Sequence, residues 1–304
     1  MTMTAEQPSG ILIVDKPADI TSATVVNRIK RFSEVKKVGH TGTLDPFATG
    51  VMVCPVNQAT RLSRFFLHGW KTYDAVMVLG TETDTQDVTG TVIQTHKVPE
   101  LDTQMIRAAV NRFQGEISQV PPAYSALKHK GRPLYEYARN GTPVHKPART
   151  VTIDRISIES IDLPEIRFTA WCSSGTYIRT LCADIGTALG CGAHLKQLRR
   201  IESSGFRIDE AEPLTHLEDL AAKGRLSEKI VPMAHALRGM IAYTANKALT
   251  ERIKYGKIIY QHDVDGIPES DYIKIIDAQE NLLAVIAPDP NGDRFDYCCV
   301  FHHA

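Results

Sequence analysis

The sequence lacks the features of secreted, membrane-spanning and disulfide-stapled proteins. Its start, MTMTAEQPSG, has neither a basic segment nor an apolar core after it, so we expect no signal peptide. The best apolar run, residues 282–287, is far shorter than the roughly 20 residues that a membrane helix needs. Six cysteines occur without a C-x-x-C pair, so we expect them to be reduced, in a cytoplasmic protein with no membrane contact.

Cofactor and metal signatures are also missing. No glycine-rich fingerprint of the Rossmann or P-loop type appears. Near the C-terminus Cys298, Cys299, His302 and His303 lie close together, but two adjacent cysteines do not have the spacing of zinc ligands. We therefore expect no metal site.

The chain has no net charge, yet its charges are unevenly distributed. Residues 28–71 carry eight Lys or Arg against two acids, and residues 123–155 carry seven against two. Residues 261–304, in contrast, carry nine acids against two basic residues. Basic segments of this kind attract phosphates whatever the total charge, whereas composition alone is equally consistent with a solvated surface.

Periodicity predicts an α+β fold. Short apolar runs at 11–14, 51–56, 73–79, 151–158 and 166–171 are typical of strands, and apolar residues at helical spacing predict helices over about 22–32, 105–113 and 178–189. Because the elements do not alternate regularly, a mixed, largely antiparallel sheet is favoured over a parallel one. A helical stretch around 241–260, followed by short strands, suggests two domains, 1–242 and 243–304.

One polar loop with three glycines, residues 39–50, directly precedes an apolar strand and is typical of a ligand site. Glycine lets the backbone approach a ligand closely, and Pro46 restricts Asp45 to extended geometry. A tight turn in which Asp45 makes only a local hydrogen bond explains the same spacing.

This loop resembles the catalytic motif of the TruB family of pseudouridine synthases, with every defining position present. Four further segments resemble family motifs in family order, and the match covers roughly residues 10–205; the segments are Asp15-Lys16-Pro17 with Thr21-Ser22, Lys71-x-Tyr73-x-Ala75, residues 121–139 and residues 175–181. One position departs from the family pattern, because Asp19 stands where glycine is usual. Asp tolerates a left-handed backbone better than most residues, so we expect the turn to persist.

The resemblance implies a pseudouridine synthase catalytic domain with an RNA-gripping insertion at about 124–149 and a small, β-rich, PUA-like module at the C-terminus. The implied partner is the T-arm of tRNA, at the T-loop uridine conventionally numbered 55. Neither a guide RNA nor an obligatory protein partner is expected. Within the insertion, Lys128, Lys130 and Arg132 would contact RNA.

The family reaction detaches uracil from the ribose, rotates it and rejoins it through C5, which requires no cofactor. By resemblance, Asp45 is the nucleophile or base, Arg179 pairs with it to keep it ionised, and Tyr73 stacks on the flipped base and assists removal of the C5 proton. Leu198 would form the opposite wall, with core packing nearly as good an explanation. Tyr177 would pack beneath the Asp45–Arg179 pair, and His40 would fill the space that the extruded nucleotide leaves in the RNA.

Two other functions compete. A guide-dependent pseudouridine synthase acting on ribosomal RNA would share the catalytic motif but generally lacks the 124–149 insertion. A non-catalytic RNA chaperone would need binding and flipping but not Asp45, so a complete Asp45, Tyr73 and Arg179 set disfavours it while leaving room for an additional tRNA-folding role.

Overall fold

Two β-sheets of unequal size organise the protein. The computed structural model describes residues 8–33, 35–264, 266, 268, 270–290 and 292–301. The strands in chain order are β1 (Gly10–Lys16), β2 (Thr49–Val56), β3 (Lys71–Leu79), β4 (Thr81–Thr83), β5 (Val92–Thr95), β6 (Gly115–Gln119), β7 (Lys128–His129), β8 (Arg132–Pro133), β9 (Arg149–Asp162), β10 (Glu165–Cys172), β11 (Ala193–Ser203), β12 (Phe206–Arg207), β13 (Glu212–Pro213), β14 (Ile230–Pro232), β15 (Ile241–Thr244), β16 (Ile259–Tyr260), β17 (Ile273–Ile276), β18 (Leu282–Pro288) and β19 (Arg294–Val300). The helices are α1 (Ser22–Ser33), α2 (Ser63–Leu67), α3 (Thr103–Asn111), α4 (Leu134–Arg139), α5 (Ile178–Ala188), α6 (Leu214–Ala222), α7 (Met233–Ala236) and α8 (Lys247–Lys254).

The larger sheet runs in the order β13-β1-β2-β11-β3-β10-β9-β6, with β14 paired to β1 and β12 to β11. Only the β1–β13 and β2–β11 pairs within it are parallel, among the described residues. The predicted α+β fold with a mixed, largely antiparallel sheet is therefore confirmed. In the described part of the chain, no helix has the length and apolarity needed to cross a bilayer.

Strands β1 and β2 are apolar on both faces because both faces are covered. Leu12 and Val14 point into the main core, together with residues of α1, α5 and the central strands. Ile11 and Ile13 point to the other side, into a second core that includes residues of β18 and β19. A continuous apolar run rather than an alternating one is the sequence signature of such a doubly covered strand.

Strand β11 was not predicted, although it lies in the middle of the sheet. Its pairing with β3 shifts register between Leu195 and Gln197 and again between Arg200 and Glu202. Each irregularity breaks the alternation of apolar and polar residues, and this alternation is the pattern by which a strand is detected from sequence.

The C-terminal strands form the smaller sheet, in the order β15-β17-β18-β19-β16. Here the expectation of a helix starting near Ile241 was wrong, because residues 241–244 are strand β15, paired in parallel with β17. The helix starts later because the Asn246 side chain accepts a hydrogen bond from the Leu249 amide and so caps α8.

Candidate active site

The loop of residues 39–50, called the site loop below, is held between three strands. At its end, Gly50 pairs with Lys16 of β1 and with Arg200 of β11. The φ angle of Gly50 is +105°, and a Cβ atom there would lie 2.2 Å from the Arg200 carbonyl oxygen. Only glycine meets both conditions, so this glycine fixes where the loop leaves the sheet.

Buried side chains support the middle of the site loop around Asp45. The Lys16 ammonium, fully buried, donates to the carbonyls of Pro46 at 3.0 Å and Ala48 at 2.7 Å. The Ser22 hydroxyl, at the start of α1, accepts from the Leu44 amide at 2.9 Å and lies 3.1 Å from its carbonyl. These bonds leave little freedom in the backbone that carries Asp45.

Asp19 supports the same loop from the turn before α1. Its φ angle is 64°, so it takes the left-handed conformation expected of the glycine it replaces. Its amide donates to the Pro46 carbonyl at 2.8 Å. The turn therefore persists with aspartate at this position.

Asp45 and Arg179 form an ion pair across the cleft. Nε of Arg179 lies 2.9 Å from Oδ2 of Asp45, and Nη2 donates a hydrogen bond to Oδ1 at 3.3 Å. The Arg179 side chain is only 3% exposed although it stands in the first turn of α5. Its position is thus set by partners in the cleft rather than by solvent.

Arg179 has three further partners that hold its plane. Nη1 donates to the Thr85 carbonyl at 2.9 Å and Nη2 to the Tyr124 carbonyl at 2.8 Å. The buried Asp87 carboxylate lies 3.6 Å from Nη1 and is itself fixed by the Thr89 amide and hydroxyl. One guanidinium therefore lies between two carboxylates, Asp45 and Asp87.

The pKa of Asp45 lies above its ordinary value. Burial raises it most, Arg179 lowers it, and the negative charge of Asp87 raises it again. The expectation was that Arg179 secures the ionised form. Arg179 does oppose protonation, but burial outweighs it, so the carboxylate is more basic than an exposed aspartate.

A cleft of about 660 Å³ opens beside this pair. Asp45, Tyr73, Tyr177, Arg179 and Leu198 all line it. The structure thus brings together five of the residues that the sequence singled out. Tyr73 and Leu198 are each 8% exposed, so each has most of its side chain in the core and a small surface facing the cleft. Arg149 stacks on the Tyr177 ring at 4.9 Å.

A second cavity, of about 940 Å³, shares the Asp45–Arg179 pair as a wall. His40 and Lys128 line this cavity and not the first. Burial and the charge of Arg200 lower the pKa of His40, which favours its neutral form. Lys130 and Arg132 are exposed on the β7–β8 hairpin and line neither cavity.

Three residues near the cleft had no role in the sequence analysis. Lys71 and Arg200 line the first cavity, and Asp87 contacts Arg179. Lys71 was visible only as part of a motif, and Asp87 and Arg200 carried no signal because their contacts join segments far apart in sequence. No group of three potential metal ligands occurs among the described residues, and His302 and His303 lie outside them.

Comparison with known proteins gives two family matches in sequence. Residues 30–178 match the model of the TruB family pseudouridylate synthase N-terminal domain. Residues 179–242 match the tRNA pseudouridylate synthase B C-terminal domain. Together these matches include every residue placed in the cleft above.

Relatives of similar length are also found. A protein of Geobacter sulfurreducens named tRNA pseudouridine synthase B is 41% identical over 288 residues, 93% of this chain and 94% of the relative. One of the same name from Burkholderia pseudomallei is 42% identical over 279 residues, 91% of this chain and 92% of the relative. Among solved structures, a chain of a Cbf5-Nop10-Gar1 complex superposes with a TM-score of 0.75 at 26% identity, over 96% of this chain and 85% of that one.

Proposed function

Because the chain belongs to the TruB family of pseudouridine synthases, we propose that it isomerises the T-loop uridine of tRNA, conventionally numbered 55, to pseudouridine. The observation that carries this proposal is the Asp45–Arg179 ion pair at the base of a cleft that Tyr73 and Leu198 also line. A base inside the RNA stack cannot reach a carboxylate that lines a cleft, so the target uridine has to leave the stack to contact Asp45.

Asp45 begins the reaction in one of two ways that the cleft serves equally. It attacks C1′ as a nucleophile, or it removes a proton from C2′. In both routes the N1–C1′ bond breaks and its electron pair leaves with uracil. The uracil then turns and its C5 forms the new bond to C1′. In the first route the bond between Asp45 and C1′ breaks at this point and the carboxylate leaves with its electron pair; in the second route the proton held by Asp45 returns to C2′. The raised pKa of Asp45 suits either role, because a more basic carboxylate is the better nucleophile and the better base.

The detached uracil needs walls that allow rotation but prevent escape. Tyr73 and Leu198 supply an aromatic and an aliphatic surface, which hold a planar ring without fixing its angle. Tyr177 and the stacked Arg149 close the same cleft. His40 lines the adjoining cavity. We assign to its imidazole ring the position in the RNA stack that the extruded nucleotide leaves empty.

RNA binding is assigned to the 124–149 insertion. Lys128, Lys130, Arg132 and Arg139 are exposed there, and Arg139 lies over the Tyr135 ring at 5.4 Å. The smaller sheet, domain 243–304 in this proposal, is PUA-like, but its acidic character argues against a strong hold on phosphates. The proposed place of action is the cytoplasm, a reducing compartment in which six unpaired cysteines are stable.

A stand-alone enzyme is favoured over a guide-dependent one. Identity to relatives named tRNA pseudouridine synthase B exceeds 40%, whereas the chain of the Cbf5-Nop10-Gar1 complex is 26% identical. The insertion favours the same conclusion. A further role as a tRNA-folding chaperone is compatible with the same binding surface and would not require Asp45.

The decisive experiment is incubation of purified protein with unmodified tRNA, without guide RNA, followed by mapping of pseudouridine. Asp45→Asn is expected to abolish product while keeping tRNA affinity within several-fold, because the amide is neither nucleophile nor base. Asp74→Asn is the matched control, since Asp74 is adjacent to Tyr73 on β3 but pairs with the exposed Arg167. Product at another position, or turnover by Asp45→Asn, would refute the proposal.

A further inference from the structure

Arg200 is a buried cation on the wall of the cleft. It is 1% exposed and belongs to the largest fully buried side chains of the described chain. It lies on β11 directly opposite Tyr73 on β3, and both side chains line the first cavity. The adjacent Arg199 faces the other way and pairs with Asp15 at 2.7 Å.

Carbonyl groups, not carboxylates, satisfy the Arg200 guanidinium. Nε donates to the Val51 carbonyl at 2.7 Å and Nη2 to the Gly42 carbonyl at 3.1 Å. No carboxylate forms an ion pair with it anywhere in the described residues. A buried charge without a counter-charge costs folding free energy, so its position favours a use in the reaction.

The charge of Arg200 acts on the pKa values of six groups, which lie on four strands and in the site loop. They are Lys16, His40, Cys54, Lys71, Tyr73 and Cys172. Two of them, Lys71 and Tyr73, line the cleft. The Lys71 ammonium is occupied by the carbonyls of Leu67 and Gly69, at 3.0 and 2.6 Å.

Tyr73 remains as the group on which Arg200 can act in the reaction. Burial raises the pKa of the Tyr73 hydroxyl, and the nearby Asp45 charge raises it as well. The charge of Arg200 opposes this rise, although the pKa of Tyr73 stays above its ordinary value. An ionised Tyr73 would supply the negative charge that Arg200 lacks.

We propose that Arg200 is a positioning residue that holds the Tyr73 oxygen and stabilises its anionic form while Tyr73 removes the C5 proton. This inference rests on the proposed function and concerns the step after the C5–C1′ bond has formed, common to both routes for Asp45. The reactive form of Tyr73 is the phenolate, a minor form at neutral pH because the pKa of the hydroxyl is raised, and it arises by loss of the hydroxyl proton to solvent water. The phenolate oxygen of Tyr73 takes the proton from C5, and the electron pair of the C5–H bond becomes the C5–C6 double bond. The π electrons of the C6–N1 double bond move to N1, and N1 then takes a proton from water.

The test is a single-turnover measurement on tRNA carrying protium or deuterium at C5 of the target uridine. Arg200→Gln is expected to slow the wild-type rate by about 100-fold, the lower range for loss of positioned base catalysis. The deuterium isotope effect of Arg200→Gln is expected to exceed that of wild type, because proton removal becomes rate-limiting. The rate of Arg200→Gln is also expected to keep increasing to a higher pH than the rate of wild type does. Arg200→Lys, which keeps the charge but not the planar fork, should lie between the two.

Arg199→Gln is the matched control, since it removes the neighbouring guanidinium and its pair with Asp15 and should leave the isotope effect unchanged. If Arg200→Gln is slow but keeps the wild-type isotope effect and pH profile, Arg200 is merely structural and the inference is overturned; an unchanged rate overturns it too. Should Arg200→Gln fail to fold, the isotope effect of Arg200→Lys decides in the same way. Wild-type protein that forms no pseudouridine would instead refute the proposed function.

Discussion

At the scale of single residues, the cleft combines a half-buried carboxylate, Asp45, with a buried guanidinium, Arg179. Burial raises the pKa of Asp45, and Arg179 opposes that rise. A second carboxylate, Asp87, shares Arg179 and weakens its effect on Asp45. The balance leaves Asp45 with a pKa above its ordinary value, so its carboxylate is more basic than an exposed one.

The pH dependence of turnover should reveal this balance. The single-turnover rate is expected to fall with decreasing pH through a midpoint above 3.8, the ordinary value for aspartate, because Asp45 must be ionised to react. Arg179→Gln removes the opposing cation, so the pKa of Asp45 rises further and the midpoint moves to higher pH. We expect the single-turnover rate at neutral pH to fall by about 100-fold, the lower range for loss of positioned acid–base catalysis.

Arg179→Lys serves as the control for charge. Lysine keeps the positive charge but lacks the planar guanidinium. The pH midpoint of this variant should therefore lie close to that of wild type, while its single-turnover rate is lower. A midpoint that stays the same in Arg179→Gln would show that Arg179 does not act on the ionisation of Asp45.

At the scale of elements, the segment 124–149 differs from the sheet that carries it. The β7–β8 hairpin and α4 present basic side chains to solvent, and the hairpin turns through Lys130 at φ 48° and Gly131 at φ +84°. Only Leu134 and Ala138 of α4 are buried. Because so few of its residues are buried, packing hardly restricts the charged side chains of this segment, as expected for a surface that contacts a partner.

Removing this charge should weaken RNA binding and leave chemistry intact. Replacing Lys128, Lys130, Arg132 and Arg139 together by Ala is expected to lower tRNA affinity and to reduce the slope of log affinity against log salt by about one for each lost phosphate contact. Turnover at saturating tRNA should change little, since Asp45, Tyr73 and Arg179 are untouched. Filter binding over a salt series measures both quantities.

A matched set of exposed basic residues outside both cavities controls for total charge: Lys97, Arg112, Lys223 and Arg225. Their replacement by Ala removes the same four charges but should leave the salt slope near that of wild type. Equal losses in the two quadruple variants would mean that the insertion is an ordinary solvated surface and that RNA follows residues 28–71 instead.

At the scale of the whole molecule, the two sheets share a core. Strands β1 and β2 face the main core on one side, and on the other they meet Leu282, Val285 and Phe301 of the C-terminal part. The acidic module is thus a structural support for the strands that hold the site loop.

The coupling is measurable because both tryptophans, Trp70 and Trp171, lie in the larger part. Leu282→Ala is expected to destabilise the protein by about 2–5 kcal/mol, as for other buried leucines, and to lower the urea midpoint of tryptophan fluorescence. Ile258→Ala, in the same module but 47% exposed, should leave that midpoint almost unchanged. A fluorescence midpoint unaffected by Leu282→Ala would show that the two parts unfold independently.

The sequence by itself determined the family, the α+β class and the identities of Asp45, Tyr73 and Arg179 as candidates, because these depend on short motifs and local periodicity. Strands with a clear apolar pattern were predicted for the same reason, such as β1 with its continuous apolar run and β3 with its alternating one. Tertiary structure alone decided the position of β11, whose bulges disrupt the pattern, and the strand at 241–244, which exists through pairing with β17. It also decided the direction of the Asp45 pKa and the places of Asp87 and Arg200, since burial and contacts between distant segments arise only when the chain folds.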